Sequence, residues 1–280
     1  MIKLEPFCFC TNNVPGNDLI HALDLAKSCG FHQVELSAID GISEQVNADF
    51  YCPQYISFIQ HELEKRDLTC YAVSGHCDMT QERQFQRLLN KIRIASELGA
   101  KVLNTRCGPK QRWSIFEAHI KQAAELAASY GLEIDLESYG DIVGPASECG
   151  PVFRALNLEN VRYNYDAGNT FRYRRGDICI QEDLKAATQY PAYLHMKDTS
   201  IRDGWIYNAP IGEGELDIPE ILLVLERYTP VLPCGLEIPS GFRVRLDDLS
   251  FDHLDRADTE VIDIVIRSVR FLQNYAEFSL

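Results

Sequence analysis

Eight times along the chain, a short β-prone apolar run is followed by a segment whose apolar residues recur at helical spacing. This alternation restricts the fold more than any other feature. Strands are predicted at Leu4–Cys10, Gln33–Ser37, Leu68–Ser74, Lys101–Thr105, Glu133–Leu136, Val161–Tyr165, Ala192–Met196 and Leu232–Ile238. Helices are predicted at Asp18–Cys29, Pro53–Arg66, Glu82–Leu98, Ser114–Tyr130, Pro145–Leu156, Ile180–Gln189, Pro219–Tyr228 and Thr259–Asn274. Asn17, Ser114 (with Glu117 three residues on) and Asp258 read as N-caps, and Gly30, Gly99 and Gly131 as stops. Eight such units in 280 residues predict a single α/β domain over residues 1–280, a (β/α)8 TIM barrel. An open dinucleotide-binding sheet is disfavoured, because no GxGxxG follows the first strand. Two connections are long, Ile39–Cys52 and Thr199–Asp217; both follow strands, which places them at the catalytic mouth.

Composition narrows the function classes. A net charge of −14 repels a phosphate backbone, so nucleic acid is not an expected partner. No apolar run reaches the roughly 18 residues of a membrane span, and the start MIKLEPFCFC lacks the features of a secretory signal. Ten cysteines without a CxxC pair, in a chain long enough to build a core, read as small buried hydrophobes in a reducing cytoplasm.

In a barrel of this kind the chemistry lies at the C-terminal strand ends. From strand three onward those ends carry His76 and Asp78, Asn104 and Arg106, Glu137, Asp166 and Asn169, His195, Lys197 and Asp198, then Glu237, Arg243 and Arg245. Glu137, Asp166, His195 and Glu237 come from four consecutive strands at spacings of 29, 29 and 42 residues. Singly, each is an ordinary cap, ion-pair partner or core histidine. Together, three carboxylates and an imidazole at one mouth suit a divalent cation, Mn²⁺ first, with Mg²⁺, Co²⁺ or Zn²⁺ as alternatives.

The strand-five Glu137, DAGN at 166–169, HMKD at 195–198, IGEGELD at 211–217 and LEIP at 236–239 resemble the xylose-isomerase-like TIM-barrel superfamily, specifically its sugar phosphate isomerase/epimerase group. The resemblance implies one divalent metal on Glu137, Asp166, His195 and Glu237, with Glu137 and Glu237 working on a carbohydrate substrate. A sugar with a carbonyl beside a hydroxyl would lose a proton to one glutamate and regain one from the other, through an enediolate. His76, Asn169, Lys197 and Arg243 are the expected substrate contacts. Arg243 and Arg245 could read a carboxylate or phosphate, and Trp113, Phe171 and Trp205 could wall a sugar face.

Ketose 3-epimerases of this superfamily usually carry a His at the position of Asn169, and an amide cannot shuttle a proton. DAGN therefore fits the broader isomerase/epimerase group better. The alternative is a metal-dependent dehydratase or lyase of a keto-sugar or inosose, which shares the first proton abstraction. An endonuclease IV-like repair enzyme needs more site histidines and an Asp-x-His pair before IGEG, where the chain reads RDGWIYNAP. A barrel that only senses a sugar would not be expected to keep four ligands. Long loops at the mouth could also meet a neighbouring subunit in a homo-oligomer.

Overall fold

The computed structural model describes residues 1–280. Eight parallel strands close on themselves: β1 (Ile2–Cys10), β2 (Gln33–Ser37), β3 (Thr69–Ser74), β4 (Val102–Thr105), β5 (Glu133–Glu137), β6 (Val161–Asp166), β7 (Tyr193–Met196) and β10 (Val231–Leu236), with β10 pairing β1. The helices α1 (Leu19–Ser28), α2 (Pro53–Glu64), α3 (Glu82–Glu97), α4 (Trp113–Ser129), α5 (Ala146–Leu156), α6 (Ala167–Tyr173), α7 (Ile180–Lys185), α8 (Ile218–Tyr228) and α9 (Asp258–Leu272) lie between or after strands. The fold is a single (β/α)8 barrel, as the alternation predicts. No helix is long and apolar enough to cross a membrane.

Strand pleating decides what reaches the mouth. Ile134 and Leu136 join the apolar core with the helices, whereas the opposite parity of β5 carries Asp135 and Glu137. On β6 the Tyr163 and Tyr165 hydroxyls reach Gly144 and Asp183, while Asn164 contacts His195 in the lumen. Backbone pairing sets Asp166 opposite His195, and His195 opposite Gly235 of β10. A Cβ on Gly235 would stand 2.6 Å from Cys10 Sγ and 2.8 Å from Glu35 Oε2, so the lumen admits only glycine there. The helices close the outer layer by periodic apolar faces; α3 buries Phe85, Leu88, Leu89, Ile92 and Ala95.

Three local expectations change. Asp18 caps α1, because the Asn17 side chain instead accepts from the Glu44 amide 2.7 Å away. A short 3₁₀ turn, Lys110–Arg112, leads into α4, so Ser114 lies inside the helix; Glu117 accepts from Trp113 and Lys121 rather than closing a capping box. Asp258 is the first residue of α9, and Glu260 accepts from the Ala257 amide. The stretch after β7 departs most. Much of it is the hairpin β8 (Asp198–Arg202) and β9 (Trp205–Ala209), extended by β11 (Phe242–Arg245) and β12 (Phe251–His253) into an antiparallel ribbon. A two-residue strand, β13 (Ala276–Glu277), flanks β1.

IGEGELD returns beneath this ribbon and is pinned on one carboxylate. Asp198 accepts from the amides of Thr199, Gly212, Gly214 and Leu216 at 2.8–3.3 Å. A Cβ on Gly214 would fall on Asp198 Oδ1, which explains that glycine. The motif is thus a structural clasp that holds the strand-seven end.

One lumen group carries a stability cost. Asp135 is fully buried with no hydrogen-bond partner, and burial pushes its carboxyl up to about 8, so the folded chain keeps the proton at neutral pH. The unfolded chain releases it near the usual carboxylate range. The ionisation part of the Asp135 cost therefore vanishes at very low pH and grows as pH rises toward 8, on top of the pH-independent cost of an unpartnered buried carboxyl. Asp135→Asn is expected to stabilise the fold at pH 7, by up to about 4 kcal/mol, and to have little effect near pH 4. Thermal melts of both chains across that range check this; equal pH slopes would show that Asp135 is ionised in the fold.

Candidate active site

The four predicted ligands converge. Glu137, Asp166, His195 and Glu237 each offer an atom within 4.8 Å of the others, and all four are buried. Local structure places each one. Ser138 brackets Asp166, donating to its carbonyl and accepting from its amide, and Asp166 Oδ1 caps α6 at Asn169. Asn13, in the turn after β1, clamps the backbone on both sides of Glu237, donating to Leu236 and accepting from Ile238. Asn12 donates to Glu237 Oε1 at 2.7 Å.

His195 is oriented from both ring edges. Nδ1 faces Glu137 Oε1 at 2.5 Å and Glu237 Oε2 at 3.2 Å, and Nε2 lies 3.1 Å from both oxygens of Glu35 on β2. Glu35 also accepts from Tyr193 at 2.8 Å and Asn104 at 2.9 Å. Burial opposes charging the imidazole, but Glu35 and Glu237 lift it well above its ordinary range.

Lys197 Nζ lies 2.6 Å from Asp166 Oδ2, 2.7 Å from Glu237 Oε2 and 3.3 Å from Asn169 Oδ1. Burial works against its charge, yet Asp166, Glu237 and Glu137 together raise it, so it stays an ammonium. Gly168 of DAGN makes this arrangement possible, since a Cβ there would meet the Lys197 stem at 2.7 Å. Burial pushes Asp166 up to about 7 against the pull of Lys197. Glu137 and Glu237 are held below the carboxylate range; burial opposes this, but His76 and His195 beside the first, and Lys197 and His195 beside the second, outweigh it.

The donor set fits a divalent cation. Glu35, Glu137, Asp166 and Glu237 crowd four carboxyl groups together, whereas Lys197 and His195 supply at most two positive charges. Glu237 Oε2 is buried without hydrogen-bond geometry, despite its closeness to Lys197. When Glu35 accepts a hydrogen bond from the Nε2–H of a neutral imidazole, the Nδ1 lone pair points at two carboxylates, an arrangement a cation resolves. Oxygen ligands with one nitrogen suit Mg²⁺, Mn²⁺ or Zn²⁺.

Glu137 and Glu237 of this cluster, with Lys197, line a cavity of about 320 Å³ at the mouth. His76 and Asn169 line it beside Lys197, as the strand-end reading expects. His76 is 5% exposed, neither ring nitrogen has a hydrogen-bond partner, and burial lowers its pKa against the opposing pull of Glu137 and Glu237. Its Nε2 lies 3.6 Å from Glu137 Oε2. The loop after β2 contributes Asp40 and Ser43, and Phe242 and Phe251 from the ribbon roof the far side.

Arg243 is not brought in. It hydrogen-bonds Asp252 and Tyr207 and stacks 4.0 Å over Trp205, away from the cavity, because β11 pairs with β9 and turns its side chain onto the ribbon. Arg245 stacks on the same ring, and Trp113, Phe171 and Trp205 take no part in the lining. The strand-end pattern does not mark Glu35, Asn12, Tyr139 or Arg172, and His253 also lines the cavity. Glu35 left one signal, an acid amid the apolar text of β2; the others sit on turns or helices that strand ends do not index.

A family model for the xylose isomerase-like TIM barrel matches residues 23–259. The chain belongs to this family. Its barrel superposes on other members at low identity. D-allulose 3-epimerase from Methylomonas sp., solved with D-allulose, is 15% identical with a TM-score of 0.71 over 98% of both chains. A xylose isomerase-like barrel from Mycobacterium smegmatis, solved with magnesium, is 15% identical with a TM-score of 0.67, over 94% of this chain and 97% of that one. The IolI protein, solved with a bound zinc atom, is 16% identical with a TM-score of 0.70, over 98% of this chain and 100% of that one. No curated protein sequence matches the chain.

Proposed function

We propose that this xylose isomerase-like barrel is a divalent-metal-dependent sugar isomerase or epimerase that moves a proton on the carbon beside a carbonyl. The observation that carries the reading is the meeting of Glu137, Asp166, His195 and Glu237 within 4.8 Å, with Glu35 fixing the far nitrogen of His195. These four side chains would hold the ion. When bound, it supplies positive charge where the substrate oxygen becomes anionic. The D-allulose 3-epimerase and the metal-containing relatives are consistent with this chemistry on the same scaffold.

The chain's own groups divide the work. Glu137, charged and edged by His76, is placed to take the carbon-bound proton. For epimerisation Glu237 returns a proton taken up from solvent, Glu137 gives its own back to solvent afterwards, and the Lys197 ammonium, 2.7 Å away, steadies the Glu237 carboxylate left behind. In isomerisation Glu137 alone hands its proton to the neighbouring carbon. His76 and Asn169 orient hydroxyls, and Asn12 and Asn13 hold Glu237 in position. The oxygen donors of the cluster favour Mn²⁺ or Mg²⁺, and the reducing setting implied by ten free cysteines favours the cytoplasm.

Incubating the Mn²⁺-loaded protein with a panel of ketoses and aldoses in deuterated water tests the reading. A product isomer is expected, labelled on the carbon beside the carbonyl if it is an epimer, and labelled only as far as Glu137 exchanges with solvent if it is an aldose–ketose isomer. Loss of one water in mass would replace the reading with the dehydratase alternative, and no change in any sugar would contradict both.

A further inference from the structure

Two guanidinium groups lie in the cavity wall without an acidic partner. Arg106, just after β4, and Arg172, on α6, both line the cavity, and neither has a carboxylate within 4.0 Å. Arg172 is only 6% exposed. Tyr139 lies between them; the Arg106 guanidinium carbon is 5.0 Å from its ring centre and that of Arg172 is 5.6 Å. Arg172 also stands 5.1 Å from the Tyr173 ring and 5.9 Å from that of Phe251. Aromatic faces orient these cations but satisfy none of their N–H donors.

The acids nearby are engaged elsewhere. Asp141 accepts from the Gly108 amide at 2.7 Å, and burial pushes its carboxyl up to about 6. Asp166 is taken by Lys197 and the α6 cap, Glu137 by His195, and Asp40 by Lys91 and Arg87. A guanidinium held in a cavity wall with no protein partner offers the cavity a planar fork of donors, which matches a carboxylate or phosphate. His76 adds an unpartnered, nineteen-twentieths buried imidazole on the same wall, within 6.4 Å of the Tyr139 ring.

We infer that Arg106 and Arg172, braced on Tyr139, form a subsite for an anionic group of the substrate, a carboxylate or a phosphate, beside the proton-transfer centre. This rests on the proposed function, because it takes the cavity over Glu137 and Glu237 as the substrate pocket. The expected substrate is an acidic or phosphorylated keto-sugar. The arginines of the ribbon, Arg243 and Arg245, have no part in this recognition.

The test compares fructose, fructose 6-phosphate and fructuronate, which share a skeleton and differ only at the last carbon, on the Mn²⁺-loaded protein. One anionic sugar is expected to exceed fructose in kcat/KM by about 100-fold or more, and which one does so separates phosphate from carboxylate. Arg172→Gln and Arg106→Lys are each expected to cut that preference at least about tenfold, whereas Arg243→Gln leaves it in place. Fructose turned over as well as both anionic sugars would overturn the subsite and leave the proposed function standing. If no sugar reacts, calorimetry with inorganic phosphate and with glucuronate decides separately. Binding that weakens in both arginine variants supports the subsite independently of the proposed function, and no binding of either anion, or binding unchanged in both variants, removes it. Should Arg172→Gln fail to fold, Arg106→Lys carries the comparison alone.

Discussion

Glu137→Gln is expected to lower turnover by about three orders of magnitude or more while leaving the barrel folded. The amide keeps the shape of the side chain and loses the basic oxygen beside His76. Lost turnover with a preserved melting transition is the expected pair of results. Glu237→Gln is expected to behave alike in epimerisation, because the amide has no proton to return to the second face. For a reaction that isomerises by a single base, Glu237→Gln would act mainly through weakened metal binding, and added metal would recover part of the rate. Near-normal kcat in Glu137→Gln at saturating metal would remove that residue from the proton transfer.

The second large effect is expected at a residue that touches no reacting atom. Glu35 accepts from Tyr193 and Asn104 while facing His195 Nε2, so its carboxylate sets which imidazole nitrogen carries the proton. Glu35→Gln keeps an oxygen for His195 but brings an amide NH₂ toward groups that already donate. Affinity for Mn²⁺ is expected to fall about 10- to 100-fold, with kcat at saturating metal changed far less. Titration of the apoprotein with Mn²⁺, followed by electron paramagnetic resonance, measures this. Unchanged affinity would show that His195 is oriented without Glu35.

Much of this site was legible because barrel geometry turns sequence spacing into height. Glu137 and Asp166 end neighbouring strands one βα unit apart, and His195 recurs one unit later, so 29-residue intervals imply a shared rim. Period-2 alternation told the same story for Lys197, two residues beyond His195. Glu35 escaped because its strand end carries no polar cluster; its role arises from a His195 ring that reaches across the lumen. Arg243 misled because its position after β10 resembles a strand end, whereas antiparallel pairing with β9 carries it onto the ribbon. The hairpin β8–β9 was hidden for a related reason. Its strands are short and partly exposed, and their pairing depends on β11, some forty residues downstream. Arg172 follows DAGN by a helical turn, and only the folded chain shows it entering the cavity with no acid to meet it.

Central to the whole account is a divalent ion shared by Glu137, Asp166, His195 and Glu237. Anomalous diffraction at the manganese edge, from crystals of turnover-competent protein grown with Mn²⁺, tests it most directly. The account predicts one strong peak within about 2.0–2.4 Å of a carboxylate oxygen of each acid and of His195 Nδ1. Competent protein with no peak there, or with its ion bound only on the Cys10–Glu35 side of His195, would contradict it.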